Sequence, residues 1–399
     1  MSQNEKTSQQ SPLPKGWRWA KLEQICSIHP GQHILEAYYN REKVGIGYLT
    51  GPDDFGEMFP SITKWTENGK TWCQPGDILV TVKGAGVGKS NLAPEDKVAI
   101  GRQLMAVRPK TDTIDQFFLY NYIVLQLSDL RKKAMGSTVP GLARRDIENI
   151  CIPLPPFLEQ RRIAARIQEL MEDVHRARAA CEKQLEAAKA LPAAYLCEVF
   201  ESQEAKNWER KKLRHVCEID GCPLLPDKAE ARDLPYIGLE HIESGSGKII
   251  GQIVDREGSI IKSISYKFDK RHVLYGKLRP YLNKVATPEF VGRCSTELVP
   301  FLPKEGCNRE FLAMLLRRPQ TVEEAMINKT GTRMPRADIA KMLELRIAFP
   351  SFNEQVRISA WLKKLIFEIE KAQDAFLRQL KNIEALPNSV LLNAFRGNL

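Results

Sequence analysis

The residues that come closest to catalytic equipment are Lys83-Gly-Ala-Gly-Val-Gly-Lys-Ser90, a glycine-rich run that ends in Gly-Lys-Ser. A phosphate-binding loop of that kind cradles phosphates with backbone N–H groups and a lysine, and requires its first glycine five residues before the glycine of G-K-S. Lys83 holds that place, so the register fails and nucleotide binding is not expected. Asp53, followed by Glu95 and Lys97, has the residue types of a metal-dependent nuclease, in which carboxylates hold the ion and a lysine helps to place the attacking water. Such a set is common by chance across so long a gap. Cys217, Cys222 and His215 supply three of the four ligands a tetrahedral zinc site needs. No N-P-P-[FY] or D-P-P-[FY] run, no G-x-S-x-G and no H-E-x-x-H occurs, and the six histidines are scattered. No catalytic residue and no metal site is expected.

Positive charge is the remaining chemistry. The chain carries 59 Lys+Arg against 49 Asp+Glu, a formal net charge of +10, with a pI near 9.1. Residues 1–156 hold +3, 157–206 hold −1, 207–347 hold +6 and 348–399 hold +2, so the excess lies mainly in two segments. Within them the basic residues cluster around glycine. Lys83 and Lys89 flank the run described above, and Lys277, Arg279, Tyr281 and Lys284 lie in or just beyond Tyr275-Gly-Lys-Leu-Arg-Pro-Tyr281. Arg131, Lys132, Lys133, Arg144 and Arg145 surround Gly136-Ser-Thr, while Lys329, Arg333 and Arg336 surround Gly331-Thr. Basic residues interleaved with Gly and Tyr suit loops that approach a phosphate backbone and turn side chains toward base edges. Taken singly, each cluster also reads as an ordinary solvated face.

The clusters recur because the chain is written twice. Residues 136–200 align without a gap on residues 331–395, at an offset of 195, with 20 of 65 positions identical. Upstream, Asp77-Ile-Leu-Val and Lys89 fall on His272-Val-Leu-Tyr and Lys284 at the same offset, and Trp17, Lys21, Leu22 and Cys26 fall on Trp208, Lys212, Leu213 and Cys217 at 191. A repeat of this kind decides architecture before any local motif. It implies two bodies, 1–156 and 207–347, each followed by a helical segment, 157–206 and 348–399.

The helical segments carry a seam. Ile163, Ile167, Leu170, Val174, Ala177, Cys181, Leu185 and Ala188 match Ile358, Leu362, Leu365, Ile369, Ala372, Phe376, Leu380 and Ile383, both stepping 4, 3, 4, 3, 4, 4, 3. That is a heptad pattern with one stutter. Equal phase predicts that the two helices pair with each other as an antiparallel intramolecular coiled coil; the alternative is that each packs only on its own body. Pro155-Pro156 and Pro350 precede the helices, and Leu191-Pro192 and Leu386-Pro387 are expected to interrupt their far ends. A helix from Phe157 to Leu191 would be about 50 Å long and would span on the order of 15 base pairs of B-DNA.

In the bodies, short apolar runs at 77–82, 98–107, 248–254 and 259–266 read as strands, and 115–133 and 308–328 as helices, so the class is α+β. Forty-three per cent hydrophobic residues suffice for real cores. No apolar run reaches the length of a membrane span and Met1–Gln10 is polar, so a cytoplasmic location with no membrane contact is expected. Nine scattered cysteines without a C-x-x-C read as reduced thiols.

These features resemble the specificity subunit of a Type I restriction–modification enzyme over essentially the whole chain. The carriers are Leu13-Pro-Lys-Gly-Trp17, the Gly136-Ser-Thr-Val-Pro and Gly331-Thr-Arg-Met-Pro loops, and the helix starts Pro-Pro-Phe-Leu-Glu-Gln-Arg-Arg-Ile and Pro-Ser-Phe-Asn-Glu-Gln-Val-Arg-Ile. The resemblance implies two target-recognition domains, each reading half of a bipartite site on double-stranded DNA, with the helix pair setting the spacing. It also implies partners: two methyltransferase subunits using S-adenosylmethionine, and restriction subunits using ATP and Mg, with no cofactor in this chain. Unlike the second copy, the first lacks the Gly-Lys-Leu-Arg-Pro-Tyr form, which weakens base-reading roles at Lys83 and Lys89. The rival readings are a chain that itself cleaves or methylates DNA and a coiled-coil scaffold that binds none.

Overall fold

A computed structural model describes residues 13–110, 113–134, 141–226, 234–251 and 263–399, with the backbone alone described for 128–134. The chain divides into two compact units: unit 1 comprises Met1–Cys181 with Gln379–Leu399, and unit 2 comprises Glu182–Arg378. Both divisions fall inside long helices, Phe157–Glu201 and Phe352–Phe395, so each unit owns a part of each helix.

Each unit contains three corresponding sheets, of which the mixed one differs between the units in where its outer strand is added. In unit 1, Arg18–Lys21 pairs antiparallel with Cys151–Leu154. An antiparallel sheet runs in the order Cys26–Pro30, Leu104–Pro109, Ile78–Thr81, Ser90–Leu92. A mixed sheet runs Trp65–Thr66, Ile46–Leu49, Val98–Ile100, Trp72–Cys73, with its middle pair parallel. Unit 2 has Glu209–Lys212 on Arg346–Phe349, an antiparallel sheet of Cys217–Ile219, Leu298–Pro303, Val273–Gly276 and Val285–Ala286, and a mixed sheet of Cys222–Leu224, Ser265–Phe268, Gly292–Ser295 and Tyr236–Ile237, in which the parallel pair lies at the edge and the fourth strand is added on the side opposite to that in unit 1.

The central strands explain why the repeat keeps an unbroken apolar run. Side chains alternate between the faces of a strand, and here both faces are covered. Ile78 and Val80 join the core shared with the helices while Leu79 joins the core of the mixed sheet. Val273 and Tyr275 divide from Leu274 in the same way. Alternation of polar and apolar residues, which suits a sheet wet on one side, would leave a polar group buried here.

The body helix of unit 1 runs from Gln116 to Ala134. Its counterpart, expected as one helix over 308–328, is two: Arg309–Arg317 and Pro319–Ile327. Pro319 causes the break, because the residue before a proline is driven from the helical region, and Arg318 has ψ 137°. Pro319 then occupies the first turn of the next helix, where its missing N–H costs nothing. The runs 98–107 and 259–266 also differ from single strands: the first is Val98–Ile100 and Leu104–Pro109, and the second contributes Ser265–Phe268, with 259–262 outside the described residues. Of 248–254, only Ile249 pairs, in an isolated bridge with Ile242, and 252–254 lie outside the described residues.

The long helices do not stop at their prolines. Pro192 and Pro387 lie inside them, and the apolar seam continues through Leu196 and Phe200 in one and Leu391, Ala394 and Phe395 in the other. A proline leaves the carbonyl four residues earlier without its usual donor. For Pro192 that carbonyl belongs to Ala188, and Gln373 Nε2 donates to it at 3.0 Å. The pairing is antiparallel within each unit. In unit 1, Ile163, Ala164 and Ile167 from the start of the first helix share a core with Leu391, Ala394 and Phe395 from the end of the second. In unit 2, Leu196 and Phe200 share one with Ile358 and Leu362. Of the expected seam residues, Ile163, Ile167, Cys181, Leu185, Ala188, Ile358, Leu362, Ile369 and Ile383 are buried; Leu170, Val174, Leu365, Ala372, Phe376 and Leu380 are half-buried; and Ala177 is exposed.

The most repeated motif, Glu-Gln-x-Arg, joins helix to body. Gln160 accepts from the Asp115 N–H at 2.8 Å and donates to the Thr113 and Pro155 carbonyls at 3.2 and 2.9 Å. Gln355 does the same with the Asn308 N–H at 2.8 Å and the Gly306 and Pro350 carbonyls at 3.1 and 2.9 Å. Beside them, Glu159–Arg162 and Glu354–Arg357 form ion pairs across one helical turn. The motif is therefore a structural splice.

None of the nine cysteines is in a disulfide. Burial pushes the Cys26, Cys73, Cys217, Cys294 and Cys307 thiols up to about 12, whereas Cys222 is exposed. Because the thiolate is the nucleophile, iodoacetamide at pH 8 is expected to label Cys222 in the native protein and spare those five. Peptide mapping by mass spectrometry checks this, and early labelling of Cys217 or Cys294 would contradict the packing. Among the described residues no helix is long and apolar enough to cross a membrane.

Candidate nucleic-acid interface

In unit 1 the glycine-rich run is a hairpin turn between Ile78–Thr81 and Ser90–Leu92. A strand follows it, where a nucleotide-binding loop would open a helix. The turn is closed by backbone bonds: Thr81 N–H to the Lys89 carbonyl at 2.8 Å, Gly88 N–H to Thr81 at 3.0 Å and Lys89 N–H to Gly86 at 3.0 Å. Lys83 and Lys89 are both exposed. Lys83 also pairs with Gly141 in an isolated bridge, and the Leu142 N–H donates to the Val82 carbonyl at 2.9 Å. This bond joins the turn to the segment that carries Arg144 and Arg145.

The same construction recurs in unit 2, 195 residues later. Gly276 N–H donates to the Lys284 carbonyl at 2.8 Å, and Ala337 N–H to the Lys277 carbonyl at 2.8 Å; Leu278 forms the bridge with Arg336. Arg279 N–H adds a bond to Pro335 at 2.7 Å. Two clusters that lie some 50 residues apart in sequence thus become one surface in each unit.

Within that surface the basic residues have different surroundings. Arg279, Tyr281 and Arg333 are exposed, and Lys277 is half-buried. Lys284 points its ammonium at the Leu239 carbonyl, at 2.6 Å, and Arg336 is held by both oxygens of Glu297 at 2.8 to 3.1 Å. Both were expected to face DNA; in the structure each braces the turn, and Arg336 keeps 41% of its side chain exposed. Arg144 is likewise paired with Glu148 at 2.6 Å, whereas Arg145 is exposed. The side chains of Arg131, Lys132 and Lys133 and the loop 136–140 lie outside the described residues.

Glu297 escaped the sequence reading. Its carbonyl accepts from the Lys277 N–H at 3.0 Å while its carboxylate holds Arg336, so it ties the two strands of the surface. No periodicity or motif marks such a residue. Behind each turn sits a buried polar group at the repeat position 77/272. Asp77, fully buried, accepts from Arg108 Nε and Nη2 at 2.9 and 2.8 Å and from the Gln74 N–H at 3.0 Å. His272 lies between Asp220 and Asp269, at 3.2 and 3.0 Å. The Arg271 guanidinium holds the Asp269 carboxyl well below the usual range. At the far end of the second turn, Asn283 Nδ2 donates to the Arg317 carbonyl at 2.8 Å, and burial pushes the Arg317 guanidinium down to about 10.

The nuclease candidates Asp53, Glu95 and Lys97 are all exposed. Asp53 lies in the short turn Pro52–Asp54, and the Lys97 ammonium lies 3.6 Å from the centre of the Trp72 ring. Of the zinc candidates, Cys217 is buried and Cys222 and His215 are exposed. Among the described residues no group of three or more His, Cys, Asp and Glu is placed to hold a metal ion.

A duplicated α+β body, each copy presenting a basic hairpin surface and spliced to a long helix, is the architecture of a two-part recognition scaffold. A family model for the Type I restriction modification DNA specificity domain matches residues 14–184 and again residues 205–379, and the chain belongs to that family. It is thus a specificity subunit of a Type I restriction–modification system. The putative MjaX specificity subunit of Methanocaldococcus jannaschii is 31% identical over 186 residues, 46% of this chain and 43% of that protein. The EcoDI specificity subunit of Escherichia coli is 24% identical across 71% of this chain and 70% of its own length, and the MjaVIII specificity subunit of M. jannaschii is 23% identical across 92% and 91%. The fold is shared with the HsdS subunit of Thermoanaerobacter tengcongensis, with TM-score 0.63 at 20% identity over 97% of this chain and 98% of that one. It is also shared with a chain solved in work on complex assembly in the type I R-M system, with TM-score 0.73 at 19% identity over 97% and 100%.

Proposed function

We propose that each unit reads one half of a bipartite DNA target and that the paired helices set the distance between the halves. The observation that carries this is the repeated surface: two hairpin turns with equivalent backbone bonds 195 residues apart, bearing different side chains. A common scaffold with divergent side chains suits two half-sites of different sequence. Exposed Lys83, Lys89 and Arg145 in unit 1, and Lys277, Arg279, Tyr281 and Arg333 in unit 2, make the contacts. Phosphate contacts orient the duplex and base-edge contacts discriminate.

The chain works in the cytoplasm on double-stranded DNA and supplies no chemistry of its own. Methyltransferase subunits that use S-adenosylmethionine, and restriction subunits that use ATP and Mg, dock on it, as its membership of the Type I specificity family implies. The test is a gel-shift series, in the presence of the methyltransferase partner, on bipartite duplexes whose spacer is lengthened or shortened by one or two base pairs. Affinity is expected to fall about five-fold or more for each change, since about 1 kcal/mol or more is lost for a mismatched half-site. Specific binding that ignores the spacer would refute the helix pair as a ruler, and cleavage or methylation by the purified chain alone would refute its non-catalytic role.

A further inference from the structure

Both basic turns use a left-handed backbone at the same two places. In unit 1, Gly84 has φ 87° and Gly88 has φ 86°; 195 residues later these positions are Arg279, with φ 51°, and Asn283, with φ 47°. Glycine takes this region freely, whereas the Cβ of any other L residue crowds its own backbone. Among the described residues only Lys43, Arg279 and Asn283 do so without being glycine, and two of the three share this turn. Asparagine tolerates the region, and the Asn283 side chain is anchored across the fold to the Arg317 carbonyl. Arg279 gains nothing comparable. It is exposed, and among the described residues nothing engages its side chain.

The backbone of unit 2 thus calls for glycine at 279, which unit 1 supplies, yet the position holds arginine. Strain kept in this way points outward, to a partner that uses the side chain. We infer that the Arg279 guanidinium is a principal DNA contact of the unit 2 turn, retained at the expense of that unit's own stability. This rests on the DNA-reading function proposed above. The chemistry it recognises is a pair of oxygen or nitrogen acceptors, either phosphate oxygens or guanine O6 and N7, both of which a planar guanidinium can engage with two hydrogen bonds.

Three variants, Arg279→Gly, Arg279→Ala and Arg279→Lys, test it in the full chain assembled with its methyltransferase partner. The probes are a duplex carrying the target mapped from methylated host DNA and the same duplex with one half-site scrambled. Arg279→Gly and Arg279→Ala are both expected to bind the intact target about ten- to a hundred-fold more weakly. Only Arg279→Gly relieves the backbone, so it should melt about 2–4 °C above Arg279→Ala and above the unmodified chain. Arg279→Lys, which keeps the charge but not the planar fork, is expected to lose less than Arg279→Ala; a weakening equal on both probes assigns the acceptors to phosphate oxygens, and one confined to the intact target assigns them to guanine atoms. The inference is overturned if the unmodified protein discriminates between the probes and Arg279→Gly binds as it does, or if Arg279→Gly melts below Arg279→Ala. A failure of the unmodified protein to discriminate is a separate result, and refutes DNA reading itself.

Discussion

Gln355→Leu is expected to destabilise unit 2 by about 3 kcal/mol, the sum of several buried polar groups left unpaired at roughly 1–3 kcal/mol each. Leucine fills nearly the same volume, so packing is retained and the loss isolates hydrogen bonding. The side chain is fully buried, and its removal strands the Asn308 N–H and the Gly306 and Pro350 carbonyls together. Gln160→Leu should do the same to unit 1 through Asp115, Thr113 and Pro155. Urea denaturation measures the loss, and a change below about 1 kcal/mol would mean that water replaces these bonds. Because the glutamine anchors the helix start to the body, both variants should also relax the dependence on spacer length. A variant that is destabilised yet as strict about spacing as the parent would limit the splice to a stabilising role.

The second large effect is expected at Asp77. Removing one partner of a buried ion pair strands the other, at about 3–5 kcal/mol. Arg108 keeps about a quarter of its side chain in solvent, which places Asp77→Ala at the lower end, about 3 kcal/mol. Asp77→Asn keeps an acceptor for the Gln74 N–H and should lose less. Asp77 immediately precedes Ile78–Thr81, the strand that leads into the turn bearing Lys83 and Lys89. Discrimination is therefore expected to weaken in one half-site and persist in the other, as read by mobility shifts on duplexes scrambled one half at a time. Unchanged thermal stability in Asp77→Ala would show that the pair contributes nothing.

Much of this molecule was legible from the repeat alone. The gapless match from 136–200 to 331–395 marked the two long helices and their common phase, because a seam that must face another helix constrains every third or fourth residue. The proline readings went astray for a related reason. Propensity puts a proline at a helix end, but a helix held along its length by a partner tolerates one when a side chain such as Gln373 serves the orphaned carbonyl. The break at Arg318-Pro319 shows the opposite outcome at a proline in a shorter helix.

The basic residues illustrate the limit more sharply. Composition and clustering selected Lys284 and Arg336 alongside Arg279 and Lys83, and nothing in a linear sequence separates them. Their surroundings diverge because the Leu239 carbonyl and Glu297 are brought to the first two by folding. Sequence by itself determined the duplication, the α+β class, the helix phase and the concentration of charge in the bodies, all of which are patterns repeated along the chain. Only the tertiary structure decided which cations remain unpaired, that two distant clusters form one surface in each unit, and that Arg279 stands where its sister unit uses glycine. Those depend on which groups meet across the fold and on the local backbone angle, neither of which residue type encodes.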